Sequence, residues 1–428
     1  MGWDDYVNNT WLDFSVNRPK TVLIIGFLLI FATAFGAKNL YFRGDYKVFF
    51  EETNPQRMAF EQMQNTFSKN DGASIIIAPK SGNVFNLQTL SLIHEMTKEA
   101  QQTPLSIRVD SLTNFQHTWA EDDDMIVEDL VYKLADLNPQ RFDYIRNVAL
   151  NEPNLVNRLV SPKGDVAVIN ISVNLPDGDQ TAEVIEVTDS VKSLSDKYKA
   201  KYPEHDFYHT GVVLMNYSFA SFAQRDFSTI VPLMFLTVIV IMWLLLKTAV
   251  GTFSTVVIIA SSIAATMGVA GWFGMFMSTA TVNVPTMVMT LAVADCIHVI
   301  STMLYGMHLG KDKKEALRYS LTLNKMPIFI TSATTGVGFL TLNFSAVPIL
   351  ADLGNLTALG VIFACVFSLT LLPALIMVLP IKQLPKHSSN THLSYTEKFG
   401  EWVINHHKRI LPFTLLATVI AISFSFKN

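Results

Sequence analysis

The stretch LAVADCIHVI, residues 291–300, places two ionisable side chains inside an apolar run. Asp295 and His298 stand among Leu, Ala, Val, Cys and Ile, a composition typical of a helix that crosses a lipid bilayer. A carboxylate at the centre of such a helix costs about 2.5–3.5 kcal/mol on insertion scales, so it needs a function or a bonding partner to persist. We therefore predict a membrane span that contains a functional acid.

The composition of the whole chain also indicates a membrane protein. Half of the 428 residues are hydrophobic and 16% are charged, whereas soluble domains carry about a quarter charged residues. The net charge of -4 gives no indication of a nucleic-acid partner. Cys296 and Cys365 both lie in apolar runs, which predicts buried small side chains and no disulfide framework.

Seven apolar runs are long enough to cross a hydrocarbon core of about 30 Å as helices. They are residues 21–37, 228–246, 255–276, 284–305, 326–344, 356–378 and 410–426. The first run follows Arg18-Pro19-Lys20 and has no small-residue cleavage site, so we expect an uncleaved anchor. The predicted fold class is therefore an α-helical polytopic membrane bundle of about seven spans. Gly268, Gly271 and Gly274 in the third run predict a close helix–helix approach.

The distribution of Lys and Arg predicts the orientation of these spans. Basic residues precede the first span and cluster after the fourth and sixth spans, whereas residues 278–283 and 345–354 contain none. The amino terminus is then cytoplasmic, and the long polar segment between the first two spans lies outside. We divide the chain into a cytoplasmic segment (1–20), a first span (21–38), an extracytoplasmic α/β porter-like domain (39–226), a five-span bundle (227–380), a cytoplasmic linker (381–408) and a seventh span (409–428).

The extracytoplasmic segment has the pattern of a ferredoxin-like α+β domain. Strands are predicted at 73–80, 105–112, 165–176 and 206–214, with amphipathic helices at 86–102 and 181–202. That order, β-α-β followed by β-α-β, is the ferredoxin-like arrangement. A mostly helical insertion is expected at about 115–160, with the acidic run Glu121-Asp122-Asp123-Asp124 at a helix start. No metal-ligand spacing, nucleophile motif or phosphate loop is present in the sequence, so we predict a binding or conduit domain and no enzyme, cofactor or metal.

The two ends of the chain resemble each other. Asn17-x-x-Lys20 before the first span aligns with Asn405-x-x-Lys408 before the seventh. We interpret the second segment, from about residue 395, as the start of a truncated second repeat. The alternative is chance similarity between two basic-then-apolar segments.

These features together resemble the amino-terminal half of a resistance-nodulation-division (RND) transporter. The resemblance is closest to the MMPL-like exporter branch, which is similar to the Patched-like, sterol-sensing proteins. It rests on LAVADCIHVI, on ITSATTGVGFLTLNFSAVPILADLG (330–354), on TALGVIFACVFSLTLLPALIMVLP (357–380) and on LVSPKGDVAVINISV (159–173). It implies a proton-relay role for Asp295. The family is built from two such halves, so it also implies a second half or a like copy as a partner.

The residues around Asp295 suggest how a relay would be built. His298 follows by three residues and lies one turn away on the same helical face. Its imidazole could relay protons, or it could simply donate one structural hydrogen bond. Thr302 in the same span, and Thr334 and Thr335 in the fifth span, are candidate relay partners. Helix–helix packing is the alternative role for all three.

The predicted function is proton-driven export of a hydrophobic or amphipathic molecule such as a lipid, with sodium left open as the coupling ion. The alternatives are a non-pumping lipid-binding or scaffold membrane protein and a half-transporter that needs a partner half. The expected partners are membrane lipids, the hydrophobic substrate, protons and either a homo-oligomer or a second transporter half; a periplasmic carrier protein is a further candidate. The expected location is the bacterial inner membrane, with the large domain in the periplasm.

Overall fold

A computed structural model describes residues 10–67, 71–121, 123–176, 180–381 and 395–425. Its helices are α1 (Thr10–Asn17), α2 (Pro19–Ala34), α3 (Pro55–Thr66), α4 (Leu87–Ala100), α5 (Pro139–Asn151), α6 (Thr181–Lys201), α7 (Val212–Arg225), α8 (Val231–Leu246), α9 (Ala249–Trp272), α10 (Val284–His308), α11 (Lys313–Leu340), α12 (Pro348–Leu369), α13 (Leu371–Val378) and α14 (Tyr395–Ser425). Its strands are β1 (Asp71–Pro79), β2 (Ser106–Asp110), β3 (Gln116–Glu121), β4 (Asp124–Asp129), β5 (Ala167–Val173) and β6 (His205–Thr210).

Six helical segments of the described chain are long and apolar enough to cross a membrane. They are Pro19–Asn39, Val212–Leu246, Ala249–Trp272, Thr281–His308, Pro348–Val378 and Lys398–Phe424. They coincide with six of the seven predicted runs. The remaining run, 326–344, lies largely in the second half of α11, whose first half reads KKEALRYSLTLNK and is too polar to span. Helix α11 nevertheless packs against both α10 and α12. The count of seven spans therefore stays a prediction.

Burial separates inner helices from outer ones. The apolar segments that contain α9 and α12 are each 61% buried, and that of α10 is 44% buried. The segments that contain α2 and α8 are only 11% buried, and residues 398–424 of α14 are 0% buried. The core of the described bundle is therefore formed by α9, α10 and α12, because these helices cover one another with side chains such as Ile258, Val299 and Leu369.

Backbone contact joins the first membrane helix to α9. A Cβ on Gly271 would meet the carbonyl oxygen of Gly36, and one on Gly268 would meet the backbone at Thr33. The indole Nε1 of Trp272 donates to the carbonyl oxygen of Ala32 at 3.1 Å. Two of the three glycines thus permit the predicted close approach. Gly274 has open space around its missing side chain and a φ of +68°, so it serves the turn after α9.

The α/β domain is built on a four-stranded sheet with the order β2-β5-β1-β6. Each neighbouring pair is antiparallel. Every second residue of β1 is buried, starting at Asp71, because one face of the sheet lies against α4 and α6. The core includes Ile75, Ile93 and Ile169, all with no exposed surface. The two β-α-β units that the sequence predicts are confirmed as elements of this one sheet. The side of the membrane on which the domain lies stays a prediction.

The insertion between the two β-α-β units differs from the prediction of a mostly helical segment. Its first part is a two-stranded hairpin, β3 and β4, and only its second part contains a helix, α5. Placing the acidic run at a helix start was therefore wrong. Glu121 is the register partner of Asp124 at the end of the hairpin, and Trp119, Ile126 and Val127 favour the extended strands that lead to and from the turn.

The last predicted strand is shorter than expected, and a helix follows it at once. Strand β6 ends at Thr210, because Gly211 adopts a φ of +113° and passes close to the carbonyl of Gly72. Helix α7 begins at Val212 and continues through a π-helical turn at Asp226–Ile230 into α8. The helical segment Val212–Leu246 therefore runs for 35 residues from the sheet into the bundle.

The other connection between the two parts is residues 41–50, which we call the strap. The N–H of Arg43 donates to the carbonyl oxygen of Met277 at 2.9 Å, and the N–H of Met277 donates to that of Tyr41 at 2.7 Å. Farther along, the N–H of Tyr46 donates to Oδ1 of Asn216 on α7 at 3.2 Å. The strap is thus bound both to the loop between α9 and α10 and to α7.

Candidate functional site

Asp295 lies near the middle of α10 and is buried. Only 6% of its surface is exposed, although it belongs to a helix of Val, Leu, Ala and Met. Helix α10 packs on α9, α11 and α12, so the carboxyl lies among helices of the bundle and away from the lipid-facing surface. The acid is therefore placed where ionisation is costly unless a polar partner is present.

That polar partner is Ser332 on α11. Its hydroxyl lies close enough to the Asp295 carboxyl and to the Cys365 thiol on α12 to interact with both side chains. The next residue of α10, Cys296, is fully buried and lies close to Thr255 on α9, whose hydroxyl donates to Gly251 of its own helix. Side chains from four helices therefore meet around Asp295 and Cys296.

Sequence reasoning missed Ser332, although a signal for it existed. Ile328 and Gly336 are the buried positions of α11 on either side of it. Ser332 lies four residues from each, so it shares their helical face. Of the hydroxyls chosen from the sequence, Thr334 lies two positions farther along the helix and points to another side, whereas Thr335 lies three positions farther, near the same face, and is half-buried.

The other predicted site residues have different surroundings. His298 is exposed, and no described hydrogen bond joins its imidazole to Asp295; its backbone carbonyl accepts from Nδ2 of Asn324 at 3.2 Å. Thr334 is exposed and donates within its own helix to Ile330 at 2.9 Å, whereas Thr302 and Thr335 are half-buried. The structure thus places the Ser332 hydroxyl next to Asp295. A relay role stays a prediction for Asp295 as well as for the other four residues.

Helix α9 adds buried hydroxyl groups next to this site. Thr255, Ser262 and Thr266 donate to carbonyls four residues earlier, at 3.0, 2.9 and 2.7 Å. Ser254 is fully buried, and its Oγ has no hydrogen-bond partner within the described part of the chain. Buried hydroxyl oxygens beside an acid can hold water or pass a proton, and they also bond helices together.

The described part of the site offers one buried carboxyl with hydroxyl groups nearby. Among the described residues, no group of three or more His, Cys, Asp or Glu side chains could hold a metal ion. A single buried carboxyl with hydroxyl neighbours can bind and release a proton without a cofactor.

A bundle of membrane helices with a buried acid at its centre, joined without a free linker to an α/β domain, defines a multi-pass membrane protein of the transporter class. The chain belongs to the MMPL family, a family of transporters, because the model of that family matches residues 49–409. The predicted place in the MMPL-like branch of the RND superfamily is thereby confirmed.

A relative from Methanocaldococcus jannaschii supports the assignment. It is 21% identical over 369 residues, which cover 85% of this chain and 92% of the relative. Its name describes it in general terms, as a membrane protein. Both comparisons therefore agree on a membrane protein, and the transporter class comes from the family.

Proposed function

We propose that the protein is a proton-driven exporter of a hydrophobic or amphipathic molecule such as a lipid, with Asp295 as the proton-binding group. The observation that supports this most is the burial of Asp295 in the middle of α10, next to the hydroxyl of Ser332 on α11. An acid that is retained at such a cost, in a transporter family, is best explained by a cycle of protonation and release.

The proton would act by changing how α10 and α11 fit together. Protonation removes the charge of Asp295 and turns the carboxyl into a donor as well as an acceptor, so its bond with Ser332 must rearrange. Each proton that enters through a potential of about 100 mV releases about 2.3 kcal/mol, which biases a two-state equilibrium between helix arrangements.

The α/β domain would move when the helices of the bundle rearrange, because it is connected to the bundle at two places. The strap is hydrogen-bonded to Met277 between α9 and α10, and α7 continues into α8. In this proposal the domain is extracytoplasmic, in the periplasm of a bacterial inner membrane. There it passes the substrate onward, with a periplasmic carrier protein as a candidate acceptor.

A second candidate is a half-transporter that works with a partner half or with a copy of itself. The outer helices favour it, since the apolar segment of α14 is 0% buried and those of α2 and α8 are 11% buried. Native mass spectrometry in mild detergent separates the two candidates. A dimer supports the half-transporter, and a monomer that transports in single-copy vesicles contradicts it.

The proposed function is tested with Asp295→Asn in proteoliposomes. The amide keeps the shape of the side chain but cannot ionise, so we expect pH-gradient-driven substrate movement to be lost while folding is kept. The matched control is Asp352→Asn, a half-buried acid at the start of α12. A sodium gradient in place of the proton gradient tests the coupling ion. Undiminished proton-driven transport by Asp295→Asn would contradict the proposal, and tight lipid binding with no pH dependence would favour a non-pumping lipid-binding protein.

A further inference from the structure

A small apolar cavity lies between the strap and α3, outside the membrane bundle. Its volume is about 200 Å³, and its walls include the rings of Tyr46, Phe50 and Phe60. Phe50 and Phe60 remain 46% and 40% exposed, so two large aromatic side chains are left uncovered beside an empty space. Apolar surface that stays open around a concavity indicates a ligand site.

The frame of the cavity is fixed by Arg57 of α3. Its guanidinium donates to the carbonyl oxygen of Phe50 at 2.8 Å and to Oε1 of Glu61 at 2.9 Å. Asn54 caps the first turn of α3 by accepting from the N–H of Gln56 at 3.0 Å. The helix is thus held against the strap by polar bonds, and its aromatic side chains do not need to pack to keep it there.

The cavity adjoins the end of the bundle at which α9 ends and α12 begins. The strap residues 46–49 contact α12, and two rings of the strap meet rings at the ends of spans. Tyr41 is 6.1 Å from Phe276, and Phe42 is 6.1 Å from Phe227, between ring centroids. These contacts place the strap beside the ends of spans, and we take the membrane surface as the side from which a hydrophobic ligand would approach the cavity.

The polar rim of the cavity carries one cation that is available to a ligand. The Arg57 guanidinium is engaged as described, whereas the Lys47 ammonium is half-buried at the cavity, with no ion pair to any acid of the described residues. Burial raises the pKa of Tyr46 to about 12, and the nearby Asp71, Asp45 and Glu61 carboxylates add to this shift, so its phenol stays neutral. Asp45 and Glu61 are each paired with an arginine, Arg43 and Arg57, which leaves the Lys47 charge without a partner acid in the described part of the strap and α3. A neutral phenol and an unpaired ammonium suit an anionic headgroup.

We propose that this cavity binds the part of a single acyl chain next to its anionic headgroup, and that Lys47 holds the headgroup. The volume is below the range of about 300–1,000 Å³ for whole drug-sized ligands, so it accepts one chain and not a complete two-chain lipid. The inference rests on the proposed function only in the assumption that the bound ligand is later transported. Binding itself can be measured without transport.

The test uses the full chain in lipid nanodiscs and a photoactivatable palmitic acid as the probe. The position of crosslinking is read by mass spectrometry of peptides. We expect adducts within residues 46–61 of the wild-type chain and a loss of about tenfold or more in Phe60→Asp, because one wall of the cavity becomes charged. The matched control is Met58→Asp, since Met58 lies on the same helix, is 56% exposed and does not line the cavity.

Two further comparisons identify the ligand chemistry and separate this site from the transport site. Lys47→Gln should weaken crosslinking of the acid probe while leaving its neutral methyl ester unchanged. A photoactivatable phospholipid in the disc shows whether the chain comes from a membrane lipid or from a free acid. Asp295→Asn should keep the adducts even where transport is lost. Equal losses in Phe60→Asp and Met58→Asp, or the absence of adducts in residues 46–61, would overturn the proposal.

Discussion

Ser332 on α11 places its hydroxyl next to the buried carboxyl of Asp295 on α10. This contact connects the acid that sequence reasoning selects with a hydroxyl that it does not. Ser332 also reaches Cys365 on α12, so one small side chain connects three helices. Ser332 is therefore a positioning residue for the proposed proton site.

Ser332→Ala should change how transport depends on pH. A hydroxyl that donates to a carboxylate favours its ionised form, so its removal makes proton release harder and moves the transport profile toward higher pH. The conservative variant Ser332→Thr keeps a hydroxyl and should restore the profile. The measurement is pH-gradient-driven flux in proteoliposomes at a series of pH values. A uniform fall in rate with no displacement of the profile would show that Ser332 has only a packing role.

Gly271→Ala should destabilise the contact between α9 and the first membrane helix. The added methyl group would meet the carbonyl of Gly36, which is backbone and cannot turn aside. Overpacking of this kind costs about 1–3 kcal/mol in the free energy of unfolding. The control is Gly338→Ala on α11, where nothing lies within 4 Å of the new Cβ. Thermal unfolding in detergent measures both variants, and equal stability would contradict the close approach.

Lys313→Ala should weaken the end of α13. The ammonium donates to the carbonyl oxygens of Met377 at 3.1 Å and Leu379 at 2.7 Å, both of which lie at the end of that helix. Hydrogen bonds to charged groups contribute about 1.5–3 kcal/mol, so we expect a loss within that range. Lys314→Ala, next to it and exposed, should change the free energy of unfolding by less than about 0.5 kcal/mol. Similar losses in the two variants would rule out the capping role.

The α/β domain should lose stability when the pH falls below about 6.5, the usual pKa of histidine. His205 is 2% exposed, and its Nε2 lies 2.9 Å from Oγ1 of Thr89. Burial lowers the pKa of His205, with Glu204 opposing this, so the folded domain holds the neutral imidazole. Stability from that form is fully present above the unfolded pKa of about 6.5, and it is lost as the pH falls toward the lower folded-state pKa.

Hydrogen exchange of α4 and β6 measures this loss at about pH 7.5 and about pH 5.5, on either side of the unfolded pKa. His205→Gln keeps a group that can bond Thr89 and cannot gain a proton, so its exchange should depend less on pH. His117→Gln, on the hairpin, is the matched control. An undiminished pH dependence in His205→Gln would show that another group is responsible.

Much of the fold follows from patterns that depend only on neighbouring residues. Apolar runs predict six of the spanning helices, and alternation along 73–80 predicts β1. The acidic run at 121–124 was misread because carboxylates suit both a helix start and a hydrated hairpin turn, and only the pairing of β3 with β4 decides between them.

One part of the site, Asp295, could also be predicted from neighbouring residues alone. Asp295 stands out by composition alone, because an acid in an apolar run is rare. The choice of Ser332 over Thr334 depends on how α11 is rotated against α10, and the exposure of His298 depends on which neighbours cover α10. Those are properties of packing between helices distant in sequence.

The continuous helix from Val212 to Leu246 connects the α/β domain to the bundle, so a tilt of this helix moves the domain. With 35 residues at about 1.5 Å each, the helix is about 50 Å long. No loop lies between its upper end and β6 except Gly211. A tilt of about 10° at the bundle end would therefore move the domain end through about 9 Å, so a modest repacking of helices becomes a much larger displacement of the α/β domain.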